Sequence, residues 1–407
     1  MVACFIPHYL HLCRYFLFLV TLLFSAALHA QTIRIGVSGP FTGGSSPMGE
    51  SMRNGVRLAV EEINGAGGIN GMSIELVERD DTANNETGAK IADELTRSKV
   101  VATIGIVNTG VGLASIDYYQ KAKIPLLVAV STGPMLTRKF SPPSQKANFI
   151  FRVSPTLDLE AKVLAADLKR KSLLRIALMA DTTPYGDSGV SAFAEQARLA
   201  GLDIVAELRF KVGDTDMSGL VKRARASGAA AVVMWGIGPE LASIARGMHS
   251  AGWRVPILGS WTLSMRNFID AAGPAGDGAL MPQTFIQDAG STTKNSFLLA
   301  YHRAFKTDLI PSPMSAAQGY DGMHLLAHAI RQSTTWDGDA IRNSLENLNF
   351  RYQGVVTSYE RPFTPQDHDA ITNNMMVMGK VSNGRVDYAY IEDQQRSAIV
   401  RVKRTTH

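Results

Sequence analysis

Residues 33–80 (IRIGVSGPFTGGSSPMGESMRNGVRLAVEEINGAGGINGMSIELVERD) contain one complete strand–helix–strand pattern. The apolar run at 33–38 predicts a buried strand, and a Gly-rich loop follows it. Apolar residues then recur at helical spacing from Gly49 to Asn64, and the glycines after Asn64 end this predicted helix. A second strand is predicted at 73–80. Strand, helix and strand in this order and at these lengths predict a parallel pair.

The same alternation runs through most of the chain, with a break at the Pro-rich loop 141–146. Further strands are predicted at 100–106, 124–130, 149–154, 175–180, 203–210, 230–235, 255–260 and 279–285, with helices at 85–98, 111–121, 156–171, 187–200, 216–227, 239–251, 291–305 and 314–333. The strand at 149–154 is expected to open the second run. The C-terminal part is expected to be β-rich, beginning with a strand at 352–356. Two alternating runs predict an α/β protein with two doubly wound lobes.

The N-terminus has the pattern of an export signal. Residues 15–28 form an apolar run of 14 behind Arg14, and small residues follow as far as Ala30. A membrane helix needs ~20 apolar residues and a secretory signal ~7–15. We therefore expect residues 1–30 to be a cleaved signal peptide, with an uncleaved anchor as the alternative, and the mature protein to be periplasmic.

Cysteine content and charge exclude several classes of function. The two cysteines lie at positions 4 and 13, so the expected mature chain has no disulfide, no reactive thiolate and no lipid-modified cysteine. The formal net charge is +5. Basic and acidic residues are interspersed without a run of five like charges, which is not the pattern of a nucleic-acid-binding surface.

Polar residues follow three strands of the first run, where ligands bind in open doubly wound sheets. Strand 33–38 leads into a loop of small and hydroxyl residues, strand 100–106 into Asn108 and Thr109, and strand 124–130 into Ser131 and Thr132. Hydroxyl groups and helix N-termini together suit a carboxylate. The alternative is that these side chains are ordinary helix N-caps.

Motifs for catalysis or cofactor binding are missing from the sequence. It has no GxGxxG fingerprint, no GxSxG elbow and no P-loop. His324 and His328 are spaced for one helix face, but HLLAH lacks the acid of a zinc-protease motif. The pair Asp80–Asp81 is typical of a turn or a helix cap. We therefore expect no catalytic residue, no metal and no cofactor.

Several segments, in this order, resemble the type I periplasmic solute-binding proteins of the leucine/isoleucine/valine-binding family, which serve ABC importers. The segments are IRIGVSGPFTG, NGVRLAVEEINGAGGINGMSIELVERDD, IPLLVAVSTGPMLT, TPYGDSG and GYDGMHLLAHAI. The resemblance covers residues 32–400 and implies two Rossmann-like lobes joined by a three-crossover hinge. It implies a monomer that delivers a small carboxylate ligand to an ABC permease of the inner membrane. The expected division is 31–152 plus 286–362 for lobe one, and 153–285 plus 363–407 for lobe two.

The resemblance also implies where a ligand carboxylate would lie. Matched by position, it would meet the hydroxyls of Thr109 and Thr132 and the backbone of Val130. Tyr185, in TPYGDSG, matches a tyrosine of the second lobe that packs over the ligand.

Three positions depart from the pattern of family members that bind α-amino acids. Trp261 stands where those proteins have an acid for the ammonium group, and Ile237 and Met48 stand where they have aromatic residues. A buried ammonium without a carboxylate partner costs several kcal/mol. The departures favour an apolar or aromatic acid without an amine, unless Asp321 supplies the missing charge.

Branched-chain and other hydrophobic amino acids therefore remain open as ligands at this point. Two other functions also remain open. A protein of this fold can sense a ligand for a regulator, and an exported α/β enzyme is conceivable if the crevice holds a nucleophile or an acid/base pair.

Overall fold

The computed structural model describes residues 32–397 and 402–403. The predicted signal peptide, with both cysteines, lies outside these residues. Among the helices of the described part, none is long and apolar enough to cross a membrane.

The first sheet has five parallel strands in the order β2-β1-β3-β4-β5. They are β1 (Ile33–Gly39), β2 (Ile74–Asp80), β3 (Ala102–Gly105), β4 (Leu126–Val128) and β5 (Ile150–Arg152). The helices between them are α1 (Ser46–Gly65), α2 (Asn85–Arg97), α3 (Thr109–Ala122) and the short α4 (Met135–Arg138). This strand order is that of a doubly wound fold, whose ligands bind beyond the carboxyl ends of the strands.

The second sheet has seven strands in the order β14-β13-β10-β9-β8-β6-β7. Its parallel part comprises β6 (Arg175–Asp181), β7 (Asp203–Phe210), β8 (Ala231–Trp235), β9 (Ile257–Gly259) and β10 (Leu280–Gln283). The helices are α5 (Leu157–Arg170), α6 (Pro184–Ala200), α7 (Ser218–Ala226), α8 (Gly238–Ser250) and α9 (Arg266–Ala272). The prediction of an α/β protein with two parallel-sheet lobes is confirmed.

The chain then returns to the first sheet and finally to the second. The returning elements are α10 (Thr292–Phe305), α11 (Pro313–Gln332), α12 (Gly338–Glu346) and the two-residue strands β11 (Tyr352–Gln353) and β12 (Ser358–Tyr359). Strands β13 (Val377–Ser382) and β14 (Arg385–Tyr388), both antiparallel to their neighbours, and helix α13 (Ile391–Ser397) complete the described chain.

Two glycines allow α11 to pack closely on α1. A Cβ on Gly55 would lie 2.1 Å from the carbonyl oxygen of Ala316, and one on Gly319 would lie 2.4 Å from that of Met52. Both distances are far below van der Waals contact, so larger residues would push the helices apart. The close crossing seals the core of the first sheet, to which α1 contributes Val56 and other apolar residues of its predicted stripe.

Two strand predictions differ from the structure. The strand predicted at 149–154 to open the second run is β5, which pairs with β4 and closes the first sheet. Strand order is not visible in a sequence, because every parallel connection looks alike. The strand predicted at 352–356 ends after Gln353, because the main-chain N–H groups of Val355 and Val356 bind the carboxylate of Asp321 instead of another strand.

The chain passes between the two sheets three times, after β5, after β10 and before β13. Residues 368–370 extend the first sheet, since Arg152 donates its N–H to His368 O and accepts from Ala370 N, both at 2.9 Å. This pairing lies beyond the predicted lobe boundary at residue 363. We therefore propose that the third crossing lies between Ala370 and Val377.

Candidate ligand-binding site

A cavity of about 520 Å³ lies between the carboxyl ends of the strands of the two sheets. Seven of the eight residues predicted from the sequence line it. They are Met48, Thr109, Val130, Thr132, Tyr185, Ile237 and Trp261. Both lobes contribute to the wall, so a molecule in the cavity contacts both at once.

The wall from the first lobe carries several hydroxyl groups. Thr109 is the first residue of α3, and its Oγ1 lies 3.0 Å from Oγ of Ser131. The Oγ1 atom of Thr132 and the Oδ1 atom of Asn108 are buried and have no hydrogen-bond partner in the part of the chain that the structure describes. The Nδ2 atom of Asn108 donates to Ser45 Oγ at 3.2 Å. Buried polar atoms are normally hydrogen-bonded, so unpartnered ones beside a cavity indicate a place for a polar ligand.

Three helix N-termini at the cavity lack a side-chain cap. Helices α1, α3 and α8 are preceded by Ser45, Asn108 and Ile237, which line the cavity and form no capping hydrogen bond. By contrast, Asn84 caps α2 and Thr183 caps α6. The first N–H groups of an uncapped helix carry partial positive charge and bind anions. Asn108 therefore does not act as the N-cap that its position suggested.

The loop that carries Thr132 is fixed by Arg152, whose side chain is fully buried. Its Nη1 donates to Gly133 O at 2.7 Å, its Nη2 to Thr137 Oγ1 at 3.0 Å and its Nε to the carboxylate of Asp369 at 2.9 Å. A planar guanidinium held by three partners allows little movement. The hydroxyl of Thr132 is thus presented on a rigid support.

The remaining wall is largely apolar. Trp261 begins a single 3-10 turn after β9 and is 3 % exposed, and Tyr185 lies in the first turn of α6. Met48 and Ile237 complete this side, where aromatic residues were expected from the resemblance. Such a surface suits the hydrocarbon body of a small acid.

Glu160 is a functional candidate that the sequence analysis missed. It lies in the first turn of α5, is fully buried, and accepts a 3.0 Å hydrogen bond from Trp261 N through Oε2. Its Oε1 has no partner among the described residues. Burial raises the pKa of Glu160 to about 8, although the Trp261 N–H and the Thr132 hydroxyl oppose the shift. In the sequence, LDLE looks like any acidic first turn of a helix.

Asp321 does not line the cavity, which corrects its inclusion among the site residues. Its carboxylate lies inside the first lobe and accepts N–H groups from Val355 and Val356 at 2.8 Å and the hydroxyl of Tyr359 at 3.2 Å. Burial raises its pKa to about 6. The role shown by these contacts is to hold the turn between β11 and β12.

The mouth of the cavity is polar. Glu86 lies there on α2, but it is exposed and paired with Lys90 at 2.9 Å. Across the cleft, Asn267 Nδ2 of the second lobe donates to Gly44 O of the first at 3.3 Å. The lobes therefore touch at the mouth, and no unpaired carboxylate of the described residues is found in the cavity lining.

The two histidines considered for a metal have other neighbours. His324 lies 3.4 Å from a carboxylate oxygen of Glu62, and the ring of His328 stacks on Phe350 at 4.2 Å. Within the part of the chain that the structure describes, no group of three or more side chains is arranged to hold a metal ion.

A family model described as "Periplasmic binding protein" matches residues 32–385. The chain belongs to the periplasmic binding protein family. Among curated relatives in this family, the Leu/Ile/Val-binding protein homolog 3 of Brucella melitensis is 28% identical over 332 residues, which cover 81% of this chain and 87% of the relative.

Solved structures of periplasmic binding proteins share the fold. A type 1 periplasmic binding protein of Bordetella pertussis Tohama I is 27% identical, with a TM-score of 0.80 over 88% of this chain and 100% of its own. The substrate-binding protein of a branched-chain amino acid transporter of Streptococcus pneumoniae, in complex with isoleucine, is 25% identical, with a TM-score of 0.77 over 88% of this chain and 98% of its own. These matches confirm the fold and the family that the motifs indicated.

Proposed function

We propose that this protein is the solute-binding receptor of an ABC importer and that its ligand is a small apolar or aromatic acid without an amine. The observation that supports this most directly is the division of the cavity into two chemically different walls. Hydroxyl groups and the uncapped N-terminus of α3 form one wall, and Trp261, Tyr185, Ile237 and Met48 form the other. The first suits a carboxylate and the second a hydrocarbon body.

The case against an ammonium group rests on charge. Trp261 occupies the position where the resemblance implies an acidic residue in family members that bind α-amino acids. The carboxylate of Glu86 is paired at the mouth, and burial favours the neutral form of Glu160 at pH 7. A buried ammonium without an ionised partner costs several kcal/mol. Leucine and isoleucine are therefore expected to bind weakly, unlike in the relatives whose names state such ligands.

The proposed mechanism is closure of the two lobes around the ligand. The first lobe holds the carboxylate through Thr109 and Thr132, and Tyr185 and Trp261 of the second lobe then cover the hydrocarbon. A ligand that contacts both walls stabilises the closed form relative to the open one. We propose that the closed receptor, a monomer in the periplasm, is what the permease recognises, and that no reaction accompanies binding.

The test compares ligands that differ only in the amine. Mature protein, unfolded and refolded to remove any bound ligand, is titrated calorimetrically with L-leucine against 4-methylpentanoate, and with L-phenylalanine against 3-phenylpropanoate. We expect each amine-free acid to bind at least ~100-fold more tightly than its amino acid, since ~1.4 kcal/mol corresponds to a factor of ten. Benzoate, whose ring is attached directly to the carboxylate, and isovalerate, which is one carbon shorter than 4-methylpentanoate, are titrated as additional ligands.

Three results would contradict the proposal in different ways. Tighter binding of the amino acids would keep the receptor function but show that some group neutralises the ammonium. Failure of every acid and amino acid to bind would remove the carboxylate receptor altogether. Turnover of a bound acid would revive the enzyme alternative.

A further inference from the structure

Glu160 lies at the junction of the two cavity walls. It belongs to α5, directly after the first crossing between the lobes, and it contacts residues from both. Its Oε2 holds the main-chain N–H of Trp261 in the second lobe. On the first-lobe side, the hydroxyl of Thr132 lies close enough to oppose the rise in its pKa. One side chain thus connects the carboxylate wall with the hydrocarbon wall.

Two atoms at this junction have unused hydrogen-bonding capacity. Glu160 Oε1 and Thr132 Oγ1 are both buried, and among residues 32–397 and 402–403 neither has a partner that satisfies hydrogen-bond geometry. Thr132 also lines the cavity, whereas Glu160 lies behind it. The main-chain N–H of Leu157, in the same first turn of α5 as Glu160, donates to Thr132 O at 2.9 Å. The two unpartnered oxygens therefore belong to adjoining segments, and a change of side-chain rotamer can join them in a hydrogen bond.

The direction of that bond depends on the proton of Glu160. A hydroxyl has one hydrogen to donate and two lone pairs to offer. If Glu160 is ionised, the Thr132 hydroxyl donates to it and offers the cavity only lone pairs, which repel a carboxylate. If Glu160 is neutral, its own O–H donates to Thr132 Oγ1, and the threonine hydrogen is free to point into the cavity.

We propose that Glu160 is a positioning residue that, as a neutral acid, donates to Thr132 Oγ1 and so directs the Thr132 hydroxyl hydrogen toward the ligand carboxylate. The proposal rests on the carboxylate ligand proposed above, and it extends that function by making recognition depend on a proton behind the wall. It also explains why a fully buried carboxyl group has no basic partner.

The surroundings of Glu160 favour its neutral form. Tyr185 of α6 faces it, and Asp181, at the end of β6, lies beside that tyrosine. Neither supplies a positive charge. Two arginines of the first lobe are already engaged: Arg152 binds Asp369, and Arg138 of α4 pairs with Asp158 at the start of α5. Burial raises the pKa of Glu160 to about 8, consistent with a group that keeps its proton in neutral solution.

The first arm of the test needs no ligand. Infrared difference spectra of the ligand-free protein, wild type minus Glu160→Gln, report the C=O stretch of a protonated carboxyl group. We expect this band at neutral pH and its loss as the pH is raised to about 9. In Thr132→Val the band should shift, because the Glu160 O–H has lost its acceptor. Absence of the band, or an identical band in Thr132→Val, overturns the proposal.

The second arm uses 4-methylpentanoate and 3-phenylpropanoate as probes, titrated calorimetrically between about pH 6 and pH 9. In the wild type, affinity should fall by up to about tenfold per pH unit above the pKa of Glu160. Glu160→Leu should bind weakly at every pH. Glu160→Gln should rescue binding without the pH dependence, since its amide N–H donates to Thr132 and its oxygen accepts from Trp261.

Thr132→Val separates positioning from a purely structural role. If Glu160 acts through Thr132, removal of the hydroxyl abolishes the pH dependence as well as weakening binding. A pH dependence that survives in Thr132→Val, or that persists in Glu160→Gln, overturns the proposal. If no probe binds, the proposed function fails, and the infrared arm still decides whether Glu160 is neutral and bonded to Thr132.

Discussion

Thr109 and Ser131 lie on different loops of the first lobe, yet their hydroxyl oxygens are 3.0 Å apart. The contact joins the N-terminus of α3 to the loop after β4, and both lead into the cavity. It brings together the polar residues that follow the predicted strands 100–106 and 124–130. Adjacent Thr132 completes a row of hydroxyl groups that ends in an atom without a partner.

Replacing Thr132 by valine is expected to weaken binding of 4-methylpentanoate by about 10- to 100-fold. A hydrogen bond to a charged group contributes ~1.5–3 kcal/mol, and the valine methyl group cannot donate one. The free energy of unfolding should fall by about 1–3 kcal/mol, because the buried Glu160 O–H loses its proposed acceptor. Calorimetric titration and urea unfolding measure the two effects. Thr96→Val, on α2 away from the cavity, is the matched control, and equal affinities in both variants would exclude Thr132 from the site.

Replacing Trp261 by glutamate is expected to shift preference from acids to α-amino acids. The new carboxylate would lie where an ammonium group has no partner in the wild type, and the hydrogen bond from residue 261 to Glu160 survives because it is a main-chain contact. The ratio of the dissociation constants of L-leucine and 4-methylpentanoate should change by at least about tenfold in favour of leucine. Trp261→Gln serves as the control, because glutamine has the shape of the introduced glutamate but no charge. If both variants show the wild-type ratio, Trp261 does not face the α-carbon of the ligand.

The free energy of unfolding should depend on pH because of the buried carboxyl group of Glu160. Since its pKa is raised to about 8 in the folded protein, the folded form binds a proton that the unfolded chain releases near pH 4.5. The stability that this proton contributes is complete below about pH 4.5 and is lost as the pH rises to about 8, by at most roughly 1.4 kcal/mol per pH unit. Urea unfolding of the wild type and Glu160→Gln between these values should show a difference that grows with pH in favour of the glutamine variant. Parallel curves would contradict a buried proton at Glu160.

Asp321→Asn is expected to lower stability without affecting the ligand. An amide has one acceptor oxygen where the carboxylate has two, so at least one of the N–H groups of Val355 and Val356 loses its partner. The expected cost is about 2–4 kcal/mol, measured by urea unfolding. The dissociation constant of 4-methylpentanoate should stay within about threefold of the wild-type value, because Asp321 does not line the cavity. A threefold change corresponds to ~0.6 kcal/mol of binding free energy. A large loss of affinity with an unchanged free energy of unfolding would show that Asp321 takes part in ligand binding.

The sequence was sufficient for much of the fold and for most of the cavity wall. Periodicity locates strands and helices, and ligand sites in doubly wound sheets lie at strand ends, so Thr109 and Thr132 could be found from the sequence alone. Val130 and the apolar wall residues were expected only from the family resemblance. Strand order could not be read in the same way. The strand pattern alone therefore placed β5 in the second run, whereas the family resemblance placed residues as far as 152 in lobe one.

Glu160 and Asp321 show the limit of such reasoning most clearly. Both are acids on helices, and sequence spacing does not tell which one lies next to the cavity wall. Packing decides, because the chain around Asp321 turns its N–H groups inward, whereas the chain around Glu160 offers it one N–H and leaves an oxygen free.

The pairing of residues 368–370 with Arg152 also bears on when the protein can fold. The last strand of the first sheet gains its outer partner, and Arg152 its carboxylate, only when the chain has been made as far as Ala370. The second sheet also needs β13 and β14, which come after residue 370 in the chain. During synthesis, therefore, the first sheet is incomplete until residue 370 has been made, and the second until β14 has been made. A chain that lacks part of both sheets is still unfolded enough to pass through a narrow pore.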